Sequence, residues 1–540
     1  MCTFLSKSLN GCTMEHFGTE YYYYCYYFFI LLLLPLLIHV LPRNKKSPGR
    51  RPRLPPGPWQ LPLIGSLHHL LLRGLPPHRA MRDLSLRHGP VMLLRACERE
   101  LLVVSSAAAV RDIFHDAAFE QRPSSPGIDE LYKRNGMGVV FAPYGDHWRL
   151  LRRVLVAELL AAHRVAADTS RRVREDEAAR LVSSLMMLAS SSSTTPGRRP
   201  PVIVNVGERL GEFVADAAVR AIFGDRLPDR AAFLKMMKQA LDFSSIFDLR
   251  DLFPSSRFVR MLPRSRKAER NRQEAVRLVQ DIIRHHEERR AAGDGDGEQE
   301  DMIDVLLRIQ KDGAMGGSLT HGVIVAVLVD VFVAAIEAPT TTLQWAMAEL
   351  MANPRVMKKA QSEIRNALAG QERVHEAALG DVGYLRAVIK ETLRLHPPIP
   401  LAPRLCLDDR KVQGYDVPKG TPVILNLWAI SRDPRYWDEP DKFVPERFEG
   451  EHTSNFLGLD FEFIPFGAGR RICPGITFSQ ANIEIALASL LYHFDWELPA
   501  GVKPDDMDMA DFSGGVAVRR KAELLLRPIP RIPPVDDYHL

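Results

Sequence analysis

The chain has 540 residues, 46% apolar and 25% charged, the balance of an ordinary globular protein. Its six cysteines, Cys2, Cys12, Cys25, Cys97, Cys406 and Cys473, include no CxxC pair, which argues against a zinc ribbon or a redox pair, and so long a chain argues against a disulfide framework. The net charge is +5, and much of the basic excess is one run holding Arg43, Lys45, Lys46, Arg50, Arg51 and Arg53. Such a run reads as a nucleic-acid patch or as the flank of a membrane segment. The sequence before it favours the flank, so no nucleic-acid partner is expected.

Residues 1–20 form an extension to which the sequence assigns no function. Residues 21–41, "YYYYCYYFFILLLLPLLIHVL", are apolar or aromatic almost throughout. At 1.5 Å per residue a helix here spans roughly 30 Å, the depth of a bilayer core. The stretch is too long for a cleaved signal, and no A-x-A-like site follows it. It therefore reads as a transmembrane signal-anchor. Positive charge follows the span, which leaves the rest of the chain on the cytoplasmic side. Residues 42–58 are basic and then proline-rich ("RLPPGP"), and they read as a stiff hinge.

Residues 59–540 show no second linker and no repeat, so they read as one mainly helical α+β domain with small sheets. Two polar stretches, residues 189–201 and 291–301, read as surface loops. Short strands are expected at 91–94, 101–104, 412–417 and 422–425. A long helix should start near Ser318 or Thr320, either of which suits an N-cap, and end by about Met351, before Asn353 and Pro354. It is apolar all round and so should be central. Inside it lie an acid, Glu337, and a proline, Pro339, which costs a helix about 3 kcal/mol or more.

Near the C-terminus, "FGAGRRICPG" at 466–475 combines glycines, two arginines and Cys473 just before a helical pattern. A glycine-rich turn with a buried cysteine is the plain reading. The alternative is a thiolate favoured by the helix N-terminus and by Arg470 and Arg471.

This loop resembles that of the cytochrome P-450 haem-thiolate monooxygenases, Phe-x-x-Gly-x-Arg-x-Cys-x-Gly, at Phe466, Gly469, Arg471, Cys473 and Gly475. The resemblance implies haem b with Cys473 as the proximal iron ligand, whose thiolate pushes electron density onto the metal. "ETLR" is similar to the family's buried Glu-x-x-Arg, at Glu391 and Arg394, and "PERF" adds Arg447. This trio is expected to brace the cysteine loop. "WRLLR" matches a helix whose Trp148 and Arg152 meet a haem propionate, with Arg404 and Arg471 as further partners. "KETLRLHPPIPLAPR", "NLWAISRDPRYW" and "FIPFGAGRRICPG" look most like the plant microsomal branch, its family-71 group.

The resemblance implies an endoplasmic reticulum membrane enzyme fed by a membrane-bound NADPH–cytochrome P-450 reductase, acting with O2 on a small lipophilic metabolite, a terpenoid for preference. No Rossmann or P-loop pattern offers NADPH a site on this chain. The family's central helix carries Ala/Gly-Gly-x-Asp/Glu-Thr and opens there. This chain has Ala334, Ala335, Ile336, Glu337 and Ala338, so the expected threonine is alanine and a glycine is missing. Pro339 would supply another route to an opening, and Glu337, Thr340 or Thr341 a proton path. The pocket is expected from 124–140, 334–338, 399–402 and 512–516. Two readings stand: a monooxygenase, or a haem-thiolate isomerase or dehydratase of peroxides or epoxides.

Overall fold

The computed structural model describes residues 52–72, 74–124, 136–190, 202–224, 230, 233–235, 249–261, 266–292, 300–313, 319–450, 456–512 and 517–532. The extension, the expected anchor and most of the basic run lie outside these residues. So do much of the 124–140 segment and residues 513–516.

Helices dominate. Those used below are α1 (Asp146–Val154), α2 (Asp168–Ser190), α3 (Val206–Phe223), α4 (His321–Ala352), α5 (Gly383–Leu395) and α6 (Ile476–His493). The central helix α4 begins where the Thr320 hydroxyl accepts the Val323 N–H at 3.3 Å. It stops at Asn353, because Pro354 starts the next helix and disfavours helical geometry in the residue before it. Its 32 residues give about 48 Å of length. Among the described residues it is the helix long and apolar enough to cross a bilayer. Here it is a core element instead. Its first half joins a cluster with α1, α3 and the helices Arg266–Ala291 and Met302–Lys311. Its second half joins one with α2, α3, α5 and α6. Ile336 packs against both clusters.

The expected opening at 334–338 is not found: α4 continues as regular helix through Pro339. Pro339 still removes the N–H that the Ala335 carbonyl would accept. At that defect Ala335 packs against one core cluster and Ile336 against both. One turn on, the Thr342 hydroxyl donates to the Ala338 carbonyl at 2.9 Å.

The main sheet has four strands, β1 (Val91–Ala96), β2 (Arg99–Val104), β3 (Leu401–Leu405) and β6 (Pro422–Asn426), in the order β1-β2-β6-β3. The β2/β6 pair is parallel and the others antiparallel. The single strand expected at 412–417 is a hairpin, β4 (Arg410–Val412) and β5 (Tyr415–Val417). Its turn residues, Gln413 at φ 49° and Gly414 at φ 81°, have the left-handed geometry that matches strand twist. A two-stranded ribbon, β7 (Asp511–Phe512) and β8 (Arg519–Arg520), packs near α4.

The proline segment does not swing free of the body. Leu93 N–H donates to the Pro56 carbonyl at 2.8 Å, and a side chain at Gly57 would lie 2.1 Å from the Leu93 oxygen. Arg53 exchanges two bonds with Asp416, at 2.7 and 2.8 Å. Residues 53–58 are thus docked, which corrects the expected hinge at its C-terminal end.

Candidate active site

The cysteine loop is shaped by its glycines. Gly467 and Gly469 take φ of 73° and 67°, and a Cβ at Gly469 would meet Phe114 at 3.3 Å. A short 3-10 turn, Gly469–Arg471, follows. The Cys473 N–H closes the loop on the Phe466 carbonyl at 3.0 Å. Phe466 in turn stacks edge-on against Phe456, with centroids 5.0 Å apart. Gly475 caps α6, and a Cβ there would sit 3.9 Å from the Cys473 sulfur. Burial pushes the Cys473 thiol pKa up. A hydrogen bond from Gly475 and the charges of Arg152 and Arg122 oppose it but do not win. Without a metal, desolvation of the sulfur outweighs the local dipoles and charges. A metal ion would reverse the balance by replacing the proton.

Around this loop stand four arginines. Arg152 comes from α1, Arg404 from β3, Arg471 from the loop and Arg122 from the segment after Gln121, which bridges to β3. Arg404 is 5% exposed and Arg471 8%. Burial and the neighbouring arginines pull Arg404 down to about 9 and Arg471 to about 10, and Arg152 also downward. The acid acting on both Arg404 and Arg471 is Glu120, which already pairs with Arg470. Arg471 reaches the Ala142 carbonyl at 2.7 Å and lies 4.8 Å over the Trp148 ring, yet its buried Nε has no partner. Arg404 donates to the Pro403 carbonyl at 2.8 Å. Buried guanidinium charge with too few carboxylates calls for anions. A haem b, with two propionates and an iron that takes a thiolate, fits this set. Arg122, Arg152, Arg404 and Arg471 would hold the propionates, packed against Trp148, and Cys473 the metal. Arg122 was missed by the sequence reading, since a lone arginine in a loop carries no periodic signal.

Behind the loop, Glu391 and Arg394 share one face of α5 and are both 0% exposed. Their contact is bidentate, at 2.7 and 2.8 Å. Arg394 also donates to the carbonyls of Ser431, Pro440 and Lys442. Glu391 accepts from Val444 N–H at 2.9 Å and from Arg447 at 3.3 Å. Arg394 Nη1 and Nη2 and Glu391 Oε1 are thus tied to the 431–447 segment, while Arg394 Nε and Glu391 Oε2 bond each other.

On α4, Glu337 is buried and pairs through both oxygens with Arg519 of β8, Nε to Oε2 at 3.2 Å. The acid expected on a proton path is thus ion-paired. Thr341 is fully buried, and the hydroxyls of Thr340 and Thr341 are both buried without a partner. Ala338 adds no hydroxyl. Ala334 is exposed midway along this otherwise buried helix, and Ile399 and Phe512 are exposed apolar side chains on segments expected to line the pocket. Asp330, also on α4, accepts the Val140 N–H at 2.9 Å, and Arg122 donates to the Val140 carbonyl at 3.0 Å, so residues 138–142 are held against the helix.

Comparison with known proteins agrees with this geometry. The family model Cytochrome P450 matches residues 55–526. "Desmethyl-deoxy-podophyllotoxin synthase" of Sinopodophyllum hexandrum is 43% identical over 499 residues, covering 91% of this chain and 94% of that protein. "Ent-cassadiene hydroxylase" of Oryza sativa subsp. japonica is 43% identical over 510 residues, covering 92% and 96%. Relatives near 40% identity include plant family-71 members. A zebra fish cytochrome P450 structure with abiraterone aligns with a TM-score of 0.68 at 25% identity, covering 85% of this chain and all of that one. The bidentate pair behind the loop, the arginine set around Cys473 and a family match that spans both place haem as the cofactor, and the chain belongs to the cytochrome P450 family of haem monooxygenases.

Proposed function

We propose that this chain hydroxylates a small lipophilic plant-type secondary metabolite, a terpenoid for preference, using O2 and electrons from a membrane-bound NADPH–cytochrome P-450 reductase. The observation that carries the reading is the excess of buried arginine around Cys473. When bound, haem supplies the centre at which dioxygen is reduced, one atom going to substrate and the other to water. Cys473 holds the metal, and Arg122, Arg152, Arg404 and Arg471 fix the ring through its carboxylates. The loop from Phe466 to Gly475, closed by the Cys473 N–H on the Phe466 carbonyl, sets the position of the sulfur. Ala334, Ile336, Ile399 and Phe512 present an apolar surface to the substrate. Glu337, with Thr340 and Thr341, manages protons beside Ala338. The anchor at 21–41 would place the enzyme on the endoplasmic reticulum as a single-pass protein facing the cytoplasm. The relative named for ent-cassadiene supports the terpenoid class.

Reduced protein with carbon monoxide should show the red-shifted band of thiolate ligation, and Cys473→Ala should abolish it. Persistence of the band in that variant would refute the assignment. The lack of a hydroxyl at Ala338 favours the second reading, rearrangement of a peroxide or epoxide without external electrons. Oxygenated product formed only with reductase and NADPH supports the first reading, whereas rearrangement without them supports the second.

A further inference from the structure

An acid in the middle of a buried apolar helix needs a partner, and the one chosen here comes from a distant strand. Arg519 reaches Glu337 with two nitrogens, one on each carboxylate oxygen. The planar guanidinium fork fixes both the place and the orientation of the carboxylate. The arginine is itself held from both sides. Val518 donates its N–H to the Pro398 carbonyl at 2.9 Å, and its own carbonyl accepts the Trp345 indole N–H at 3.3 Å. Trp345 lies on the same helix as Glu337 and stacks flat on His396, centroids 3.8 Å apart. On its other side the strand is paired, Arg519 with Phe512 and Arg520 with Asp511. Asp511 is bonded to His78 at 2.8 Å and to Arg79 at 3.2 Å. The strand position is thus fixed by three separate parts of the fold, and the arginine fork transmits that position to the acid.

We infer that Arg519 is the positioning residue for the proton-handling acid Glu337, so that strand β8, and not α4 alone, sets where protons enter the reaction. The inference rests on the monooxygenase reading above. Arg519 acts through Glu337 and is not itself a catalytic residue. A purely structural arginine would affect folding or haem retention. A positioning arginine affects proton-limited turnover and does nothing further once the acid is gone.

The test uses the full-length holoenzyme with purified plant NADPH–cytochrome P-450 reductase. NADPH oxidation is measured without added substrate and with ent-cassadiene as a probe, in H2O and D2O. Arg519→Gln and Glu337→Gln should each slow oxidation about tenfold and raise the solvent isotope effect. The carbon monoxide band should stay at the parental position, and all variants are assayed well below the midpoint of thermal haem loss of the least stable one. Arg519→Lys, which keeps the charge and is the milder change should the glutamine variant fold poorly, should recover part of the rate. The double variant should be no slower than the slower single variant, because two residues on one path are not additive. Multiplying effects, or a normal rate in Arg519→Gln beside a slow Glu337→Gln, would overturn the role of Arg519 while leaving that of Glu337. A normal rate and isotope effect in Glu337→Gln would overturn both. Absence of any reductase-driven oxidation in the parent would sink the monooxygenase reading itself, and the inference with it.

Discussion

Arg404 shows how a buried charge reports on what it binds. Its pKa is drawn down to about 9, first by burial and then by Arg122 and Arg471. Such a cost persists in a fold when a ligand of opposite charge repays it. Arg404→Ala should therefore leave the apoprotein at least as stable as the parent but lower haem content severalfold, measured as haem per polypeptide. Ala338 is the second telling residue. A hydroxyl there would stand next to Glu337, in reach of the Ile336–Pro339 turn. Ala338→Thr adds little bulk and can bond back to a helix carbonyl, so the fold should survive. If the missing hydroxyl weakens proton delivery, the variant should release less peroxide per NADPH consumed. If the substrate brings its own hydroxyl, the gain should appear only on analogues that lack it.

At the scale of elements, α4 carries an interior proline without a break in its helix. Pro339→Ala restores an N–H opposite the Ala335 carbonyl in a helix that is already regular there. It should stabilise the protein by up to about 3 kcal/mol, read from thermal inactivation. The Glu391–Arg394 pair predicts the opposite. Glu391→Ala leaves a fully buried guanidinium uncompensated, a loss of about 3–5 kcal/mol, so soluble haem-containing protein should fall sharply. A third contact joins two peripheral helices. His286 of Arg266–Ala291 bonds Asp301, the N-cap of Met302–Lys311, at 2.9 Å. Burial alone would lower the His286 pKa, but the bond to and charge of Asp301 raise it. A raised histidine pKa gives stability that is complete below the unfolded value of about 6.5 and is lost as pH rises through the folded value. Amide exchange around 301–304 should quicken over that window, and His286→Gln should flatten the dependence.

For the whole molecule, charge and apolar surface decide where the domain works. Arg149, Arg153 and Arg470 are exposed near the cysteine loop and α1, Arg149 paired with Asp146 and Arg470 with Glu120, and under the proposed reductase reading they are the charges an acidic partner would meet. Docking by exposed charge weakens as salt shortens the Debye length from about 10 Å at 0.1 M. Reductase-driven NADPH oxidation should therefore fall as salt rises, while the carbon monoxide band holds. Deleting residues 1–51 should release much of the protein from membranes without loss of haem. Some affinity should persist, since Leu71, Leu72, Phe258 and Met261 remain exposed on the body.

What the sequence determined alone was whatever is written in local order. The cysteine loop, the i,i+3 pair on α5, the Thr320 cap and the uniformly apolar α4 all depend on neighbours in the chain, and each forms where the spacing places it. What only the tertiary structure decided depends on residues far apart. Strand β3 was not among the strands expected; it carries Pro403 at its centre and lies at the sheet edge, where a missing N–H costs little. Arg122 and Arg519 carry no local signal, and both matter through partners brought to them by the fold. The surroundings of Cys473 divide the same way: the helix start and the flanking arginines can be read in sequence, whereas desolvation of the sulfur is set by packing and exists only once the chain has folded.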